Sequence, residues 1–246
     1  MKIIKVRLDD LVVKKGFADS KSKAQSIIMS GKIYLKEQKL SKPGYVLPIN
    51  SEINFRGAMH PWVSRGGLKL DYGIKNFKII VKNMIALDIG ASTGGFSHVL
   101  LERGAKKIYS VDVGYGQFHE KLSNNDKIIL KERTNARYLS RVDIPDEIDV
   151  LVCDVSFISL KKVLVEPIKL LSSNAQLICL IKPQFEVGKS SIAKGGVVKD
   201  ESVRKECCKD IRFWFQNYLG FKVSNLLESP IKGPKGNIEY LIHACK

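Results

Sequence analysis

Long apolar runs are missing from this sequence. No stretch approaches the roughly 18–20 residues that a membrane-spanning helix needs. The opening MKIIKVRLDDLVVKK is broken by charge where a secretory signal would carry an uninterrupted apolar core. No membrane association is expected, and a cytoplasmic location is. Paired cysteines are missing as well. Cys153, Cys179, Cys207, Cys208 and Cys245 are odd in number, with no C-x-x-C and no cysteine–histidine cluster at metal-ligand spacing. With only four scattered histidines, no metal site is expected. Cys153 and Cys179 interrupt apolar runs and read as small core residues. Acidic residues are scarce: 25 Asp and Glu face 41 Lys and Arg, a net charge of +16. Residues 1–65 hold 13 basic and 5 acidic side chains, so a quarter of the chain carries half of the excess. Such concentration points to a polyanion, with nucleic acid first and an anionic membrane surface second. A lysine-rich solvated face is the bland alternative.

What is present falls into two parts. In RLDDLVVKKG, Leu8, Leu11 and Val12 stand at helical spacing with Gly16 as a C-terminal cap. DSKSKAQSIIMSG forms a second short helix, capped by Asp19 or Ser20, with Ala24, Ile27 and Ile28 on one face and Gly31 at its end. KIYLK follows as a strand, EQKLSKPGY as turn and loop, and YVLPINSEINF as further short strands. Lys14, Lys15, Lys21, Lys23 and Lys32 gather around the helix junction and form a candidate phosphate-binding face, to which Arg7 adds a further cation. The segment resembles the αL RNA-binding motif of a small-subunit ribosomal protein, pseudouridine synthases and tyrosyl-tRNA synthetases. It departs from that motif in having lysine where arginine is usual in the second helix, and Lys36-Glu37-Gln38 where the hairpin usually has Asn-Gly. AMHPWVSRGG marks a boundary at Pro61, with Trp62 positioned to pack between the halves. The expected division is 1–59 as an RNA-binding head, 60–64 as linker and 65–246 as a catalytic domain.

The second part opens with MIALDIGASTGGFSHVLLERGA, read as strand, Gly-rich turn and helix. Gly90, Gly94 and Gly95 let a ligand approach the backbone, and the helix start supplies amide donors. Asp112 ends the next strand about 20 residues later, where a carboxylate accepts hydrogen bonds from both ribose hydroxyls. A dinucleotide turn wants G-x-G-x-x-G, but Ser92 stands at the second glycine. Asp88, just before the turn, disfavours a pyrophosphate and suits a cation. S-adenosylmethionine, with an ammonium, a sulfonium and no phosphate, fits better than NAD; a ligand-free structural turn is the third reading. LDIGASTGGF resembles the first motif of class I methyltransferases.

Strands at 127–131, 148–154 and 176–182, helices at 159–172 and 201–218, and closing strands in FKVSNLLES and NIEYLIHAC continue an α/β rhythm. The expected fold is a small α+β head followed by a doubly wound, mostly parallel Rossmann-like methyltransferase sheet with one antiparallel strand. Asp154 and Lys182 end successive strands, Glu239 starts an antiparallel last strand, and Lys69 on the helix SRGGLKLDYGI returns to the same edge. A neutral amine held beside a ribose 2′-hydroxyl can take its proton as the oxygen attacks a methyl group. Taken singly, Lys182 reads equally as a snorkelling strand-end lysine, Asp154 as a turn residue and Glu239 as half of a surface ion pair. Phe157 and Phe185 could stack on a base; for Phe157 core filling is the favoured reading. EVGKSSIAKGGVVKD, residues 186–200, reads as a mobile loop beside the site, with Lys189 and Lys194 facing RNA. SPIKGPKGN is a second basic loop.

The Lys–Asp–Lys–Glu set resembles the tetrad of FtsJ-like ribose 2′-O-methyltransferases. Together with WVSRGGLKL, LDIGASTGGF, DVSFISL, KPQFE and GPKGNIEYL, the whole chain resembles the TlyA family. That resemblance implies 2′-O-methylation of cytidine in ribosomal RNA, free or in a ribosomal subunit, with Lys69, Asp154, Lys182 and Glu239 catalytic. It implies S-adenosylmethionine held by Gly90, Ser92, Gly94, Asp112 and Asn135; Asp88, Gly95 and Asp154 are further expected cofactor contacts, and Arg65 a further expected RNA contact. The family has also been called haemolysin. A membrane-active cytolysin and a non-catalytic ribosome-assembly factor are the competing expectations.

Overall fold

The computed structural model describes residues 4–18, 20–56 and 60–246, which divide into two compact units, residues 1–60 and 61–246. In the first unit, strand β1 (Lys5–Arg7) runs directly into helix α1 (Leu8–Lys14). Leu8, Leu11 and Val12 share the helix face that enters the core. Asp9 and Asp10 lie in the first turn, favourable against the helix dipole. Helix α2 (Lys21–Met29) is capped by Ser20, whose side chain accepts from the Lys23 amide at 3.3 Å. Asp19, the other expected cap, lies outside the described residues. Ala24 and Ile28 bury the inner face of α2.

Strands β2 (Ile33–Leu35), β3 (Gln38–Leu40), β4 (Val46–Pro48) and β5 (Ile53–Phe55) complete the unit as a β1–β4 pair and a three-stranded β3–β2–β5 sheet. The sequence suggested loop across residues 38–40, yet Leu35 pairs directly with Gln38 around a two-residue turn. Lys36 takes the left-handed conformation at φ 53° that Asn or Gly would adopt more readily. Burial of Ile33 and Leu40, partners in the hairpin, holds the turn despite that cost.

In the second unit, helix α3 (Gly66–Phe77) precedes strand β6 (Ile85–Ile89) and helix α4 (Gly95–Glu102). Strand β7 (Lys107–Val111), helix α5 (Glu120–Ser123), strands β8 (Ile128–Lys131) and β9 (Ile148–Cys153) and helix α6 (Leu160–Val163) follow. Strand β10 (Leu171–Ile181), helices α7 (Pro183–Glu186) and α8 (Glu201–Phe213), and strands β11 (Lys222–Glu228) and β12 (Tyr240–Cys245) close the chain. The seven-stranded sheet has the order β11–β12–β10–β9–β6–β7–β8, and β12 runs antiparallel to both neighbours. Apolar clusters cover both faces. That is why β9 and β10 read as near-continuous apolar runs. Cys153 and Cys179 are fully buried partners across those two strands.

The helix expected at 159–172 is instead the single α-turn α6 and a 3₁₀ turn at Pro167–Leu170. Proline has no amide to continue the α-helical ladder, and β10 starts at once at Leu171. Trp62 packs within the second unit, edge-on to His98 at 5.4 Å and over Gly67, where a Cβ would lie 2.4 Å from the indole Cγ.

Candidate active site

Parallel strands β6, β7, β9 and β10 end on one edge, where a doubly wound sheet binds its ligand. After Ile89 the chain turns through Gly90 at φ 81°, and a Cβ there would fall 2.7 Å from the Asp154 carbonyl oxygen. Glycine thus lets the β6 turn lie against the end of β9. Ser92 follows at φ 48°. Its amide donates to Asp112 Oδ2 at 2.8 Å, while the Gly114 amide donates to Oδ1 at 2.7 Å. Two backbone donors therefore fix the Asp112 carboxylate at the rim of a cavity of about 530 Å³, a size suited to a nucleoside-bearing ligand. Gly90, Ser92, Asp112, Asn135 and Asp154 all line it, with Val113, Val155 and Ile158 as apolar wall. Asn135 Oδ1 caps the following 3₁₀ turn through the Arg137 amide at 3.1 Å.

Three of the expected cofactor residues sit differently. Asp88 is fully buried below the turn and is not in the cavity wall. Its Oδ2 accepts from Ser97 Oγ at 2.6 Å, and Ser97 Oγ lies 2.8 Å from Ser110 Oγ. Asp88 Oδ1 has no hydrogen-bond partner among the described residues, and burial pushes the carboxyl up to about 7. A charged ammonium has no path to it in this arrangement. Gly94, at φ 87°, is absent from the same wall; a Cβ there would press on Phe118 and Leu122. Gly95 borders the adjoining cleft, and its missing Cβ makes room for Ser64 Oγ and the Gly67 amide. These two glycines serve helix approach first.

Beside the cavity, four polar side chains meet. Lys69 projects from α3, Asp154 follows β9, Lys182 follows β10 and Glu239 precedes β12. Lys69 Nζ donates to Glu239 Oε2 at 2.7 Å and to Asp154 Oδ2 at 3.3 Å. Lys182 Nζ pairs with Asp154 Oδ1 at 2.5 Å and donates to Ser156 Oγ at 3.0 Å. Glu239 is 0% exposed, Lys69 5% and Lys182 6%. Two buried amines and two carboxylates balance in charge, the condition under which buried ions are tolerated. Lys69, Asp154 and Lys182 line a cleft of about 300 Å³ with Gly90 and Ser92, continuous in residues with the larger cavity.

Several contributors stand inside the motifs GPKGNIEYL, DVSFISL and KPQFE without being expected there as site residues. Gly233 gives Glu239 its space: a Cβ there would lie 2.0 Å from Oε1. Ser156, within DVSFISL, accepts from Lys182 Nζ at 3.0 Å. Glu186 accepts from Ser159 Oγ at 2.5 Å and the Leu160 amide at 2.8 Å, tying the segment after β10 to the segment after β9. Phe157, expected in the core, is 90% exposed at φ 66°, with its ring 5.0 Å from that of Phe185. The left-handed backbone turns Phe157 outward, while Leu160 takes the core position. The expected mobile loop at 186–200 is tied at its far half. Asn237 accepts from the Val198 amide and donates to the Gly196 carbonyl, and Arg204 donates to the carbonyls of Val198 and Lys199.

Among the expected RNA contacts, Lys14, Lys15, Lys23, Lys32, Lys189 and Lys194 are exposed. Arg7 forks onto Asp9, at 3.0 and 2.7 Å, and holds that carboxyl well below its ordinary range. Lys21 pairs with Asp10 at 2.7 Å. These two cations are drawn toward neighbouring acids that the sequence reading left out of account. Arg65 donates to the Lys232 carbonyl at 2.6 Å and anchors the 229–237 loop.

The sheet and its edge define a methyltransferase of the FtsJ-like kind: the model of the FtsJ-like methyltransferases matches residues 62–246, and that of the S4 domain matches residues 6–53. The chain is 38% identical, over 97% of its length and 89% of the relative's, to the 16S/23S rRNA (cytidine-2'-O)-methyltransferase TlyA of Mycobacterium tuberculosis. It is 41% identical, over 97% of its length and 85% of the relative's, to YqxC of Bacillus subtilis, named as a candidate rRNA methyltransferase. A solved structure from Streptococcus thermophilus, described as a candidate hemolysin, superposes with a TM-score of 0.78 at 38% identity, covering 100% of this chain and 90% of that one. The chain belongs to the TlyA family, FtsJ-like methyltransferases that carry an S4 domain. Among the described residues no helix is long and apolar enough to cross a membrane.

Proposed function

We propose that this protein methylates the ribose 2′-hydroxyl of a cytidine in ribosomal RNA, using S-adenosylmethionine. The observation that carries this reading is the meeting of Lys69, Asp154, Lys182 and Glu239 beside the large cavity. The residues present fit the cofactor: a fixed carboxylate, Asp112, suits ribose hydroxyls, and Asn135 with Val113, Val155 and Ile158 suits a purine. When bound, S-adenosylmethionine supplies a methyl group on a sulfonium. Gly90 and Ser92 shape the turn against which it rests, and Asp154 stands between cavity and cleft.

Lys182 is the group placed to take the hydroxyl proton. Asp154 and Ser156 fix its amine from two sides, so its lone pair, once free of its own proton, has one aim. Lys69, bridged to Asp154 and Glu239, holds both carboxylates in place and completes the charge balance. Burial excludes competing water, and fixed geometry supplies much of the acceleration. Exposed Phe157 beside Phe185 offers a ring to stack on the target nucleotide. The division of labour is 1–59 docking RNA through its exposed lysines, 60–64 linking, and 65–246 transferring the methyl group in the cytoplasm, on free RNA or a ribosomal subunit.

Purified protein with a labelled methyl donor, offered ribosomal RNA and subunits from cells lacking this protein, tests the reading. Transfer to a cytidine ribose is expected, and Lys182→Ala removes it. Normal donor binding with no transfer to any RNA would overturn it. An unchanged cellular role in the Lys182→Ala strain would favour an assembly factor, and vesicle leakage by clean protein would favour the cytolysin.

A further inference from the structure

A second cavity, of about 300 Å³, borders Lys182 and Glu239. Phe157 and Phe185 line it, together with Gly196 and Lys235. Lys235 and Gly196 belong to separate loops that meet at this wall: a Cβ on Gly196 would lie 3.7 Å from Lys235 Nζ. Both loops are held. Asn237 donates to the Gly196 carbonyl at 2.9 Å and accepts from the Val198 amide at 3.1 Å, and the Gly233 amide donates to the Asn237 carbonyl at 2.9 Å. Lys235 itself is exposed and takes the left-handed backbone at φ 60°, where glycine is the less strained residue. The backbone therefore gives no reason for a lysine at this position. Charge does. Glu239 and Lys182, the other ionisable side chains of the wall, are committed to Lys69 and Asp154. Those four residues balance one another. Lys235 has no ion-pair partner among the described residues, so it leaves one surplus positive charge on the cavity.

We propose that Lys235 binds a phosphate flanking the target nucleotide, which makes this cavity the subsite for the RNA. The proposal rests on the ribose methylation proposed above and adds the group that fixes the RNA backbone beside Lys182. A nucleotide in a chain presents a flat base, a ribose and one negative charge per phosphate. The cavity presents, in the same order, the rings of Phe157 and Phe185, the Lys182 amine and the Lys235 amine. A phosphate contact selects no base; it sets register, so that the 2′-hydroxyl stays at Lys182. A lysine serves here because it holds phosphate as a point charge and needs no fixed fork geometry. The methyl donor carries no phosphate, and Lys235 is absent from the wall of the larger cavity.

The test uses the full-length protein, saturating S-adenosylmethionine and ribosomal RNA or subunits from cells lacking the protein. Lys235→Gln raises KM for the RNA several-fold at low salt, with S-adenosylmethionine affinity unchanged. The slope of log kcat/KM against log salt becomes shallower by about one, the mark of one lost phosphate contact. Lys235→Arg keeps the parent's slope. Lys235→Gly suits the left-handed backbone and so relieves the fold at this position, yet it behaves as Lys235→Gln does. Lys222 is exposed on β11 opposite Cys245, at the end of β12 remote from Glu239, and Lys222→Gln keeps the parent's slope. The parent's slope in Lys235→Gln or Lys235→Gly, or an equal change in Lys222→Gln, overturns the assignment while leaving methylation standing. Absence of transfer to any RNA by the parent removes both.

Discussion

Lysine is used in two opposite ways in this chain. In the first unit Lys14, Lys15 and Lys32 stand in solvent on a small scaffold. In the second unit Lys69 and Lys182 are 5% and 6% exposed and locked against carboxylates. The first arrangement yields a screened, long-range attraction that needs no fixed geometry. The second yields a fixed geometry that salt cannot reach. Sequence composition counts all of these residues alike in the +16 total, although only the first kind acts as net positive charge.

The largest effect that tests this contrast is on chemistry. Lys182→Ala lowers kcat by about 10²–10⁴-fold, the usual contribution of a positioned proton acceptor, while donor affinity measured by calorimetry stays within a few fold. Lys14→Ala leaves kcat at saturating RNA unchanged. Equal kcat losses in the two variants would erase the distinction.

The next effect is on stability. Lys69→Ala leaves Glu239, which is 0% exposed, without its amine partner. Breaking a buried pair from one side costs roughly 3–5 kcal/mol. Denaturant unfolding of the catalytic unit reads this loss directly. The double variant Lys69→Met with Glu239→Gln recovers part of it, since no uncompensated charge remains. Lys15→Ala, in contrast, shifts stability by about 0.5 kcal/mol or less.

Smaller still are the effects on RNA affinity. Each of Lys14→Ala and Lys15→Ala reduces the slope of log affinity against log salt by about one if its lysine touches phosphate. Arg7→Ala changes that slope less, because its guanidinium is committed to Asp9. A full unit of slope lost with Arg7 would show that the Asp9 pair opens on RNA.

Much of the fold was legible because period and punctuation agree. Leu8, Leu11 and Val12 mark a helix, and the apolar runs of β9 and β10 mark buried parallel strands. The meeting of Lys69, Asp154, Lys182 and Glu239 was legible because each stands at a strand end or on the preceding helix, positions that a doubly wound sheet brings to one edge. What escaped depends on three-dimensional neighbours. Pro167 splits the expected helix because β10 begins four residues later, a competition invisible to helical periodicity. Phe157 faces outward because of a left-handed backbone that composition does not encode for phenylalanine. Gly233 acts only through its closeness to Glu239, which precedes the antiparallel strand. Asp88 was read by its place before the glycine turn, whereas its depth below the turn decides its chemistry.

Asp88 extends the comparison to buried carboxylates, and its test has the smallest expected effect on function. Half-buried Asp154 and fully buried Glu239 lie beside amines, while the fully buried Asp88 accepts from the Ser97 hydroxyl. Burial raises its carboxyl from 3.8 to about 7. Between those values the folded chain keeps a proton that the unfolded chain has released. The folded state then binds more protons, so the stability contribution falls as pH rises, from about 4 to about 7. Below about 4 both states are protonated and the cost vanishes; above about 7 it is complete. A shift of about three pH units corresponds to roughly 4 kcal/mol as an upper bound. Asparagine cannot ionise and can still accept from Ser97. The Tm of Asp88→Asn relative to the parent therefore rises by several degrees between pH 5 and pH 8. A difference that stays flat across that range would mean that Asp88 is ionised in the fold, and that burial without a cation does not separate it from Asp154 and Glu239.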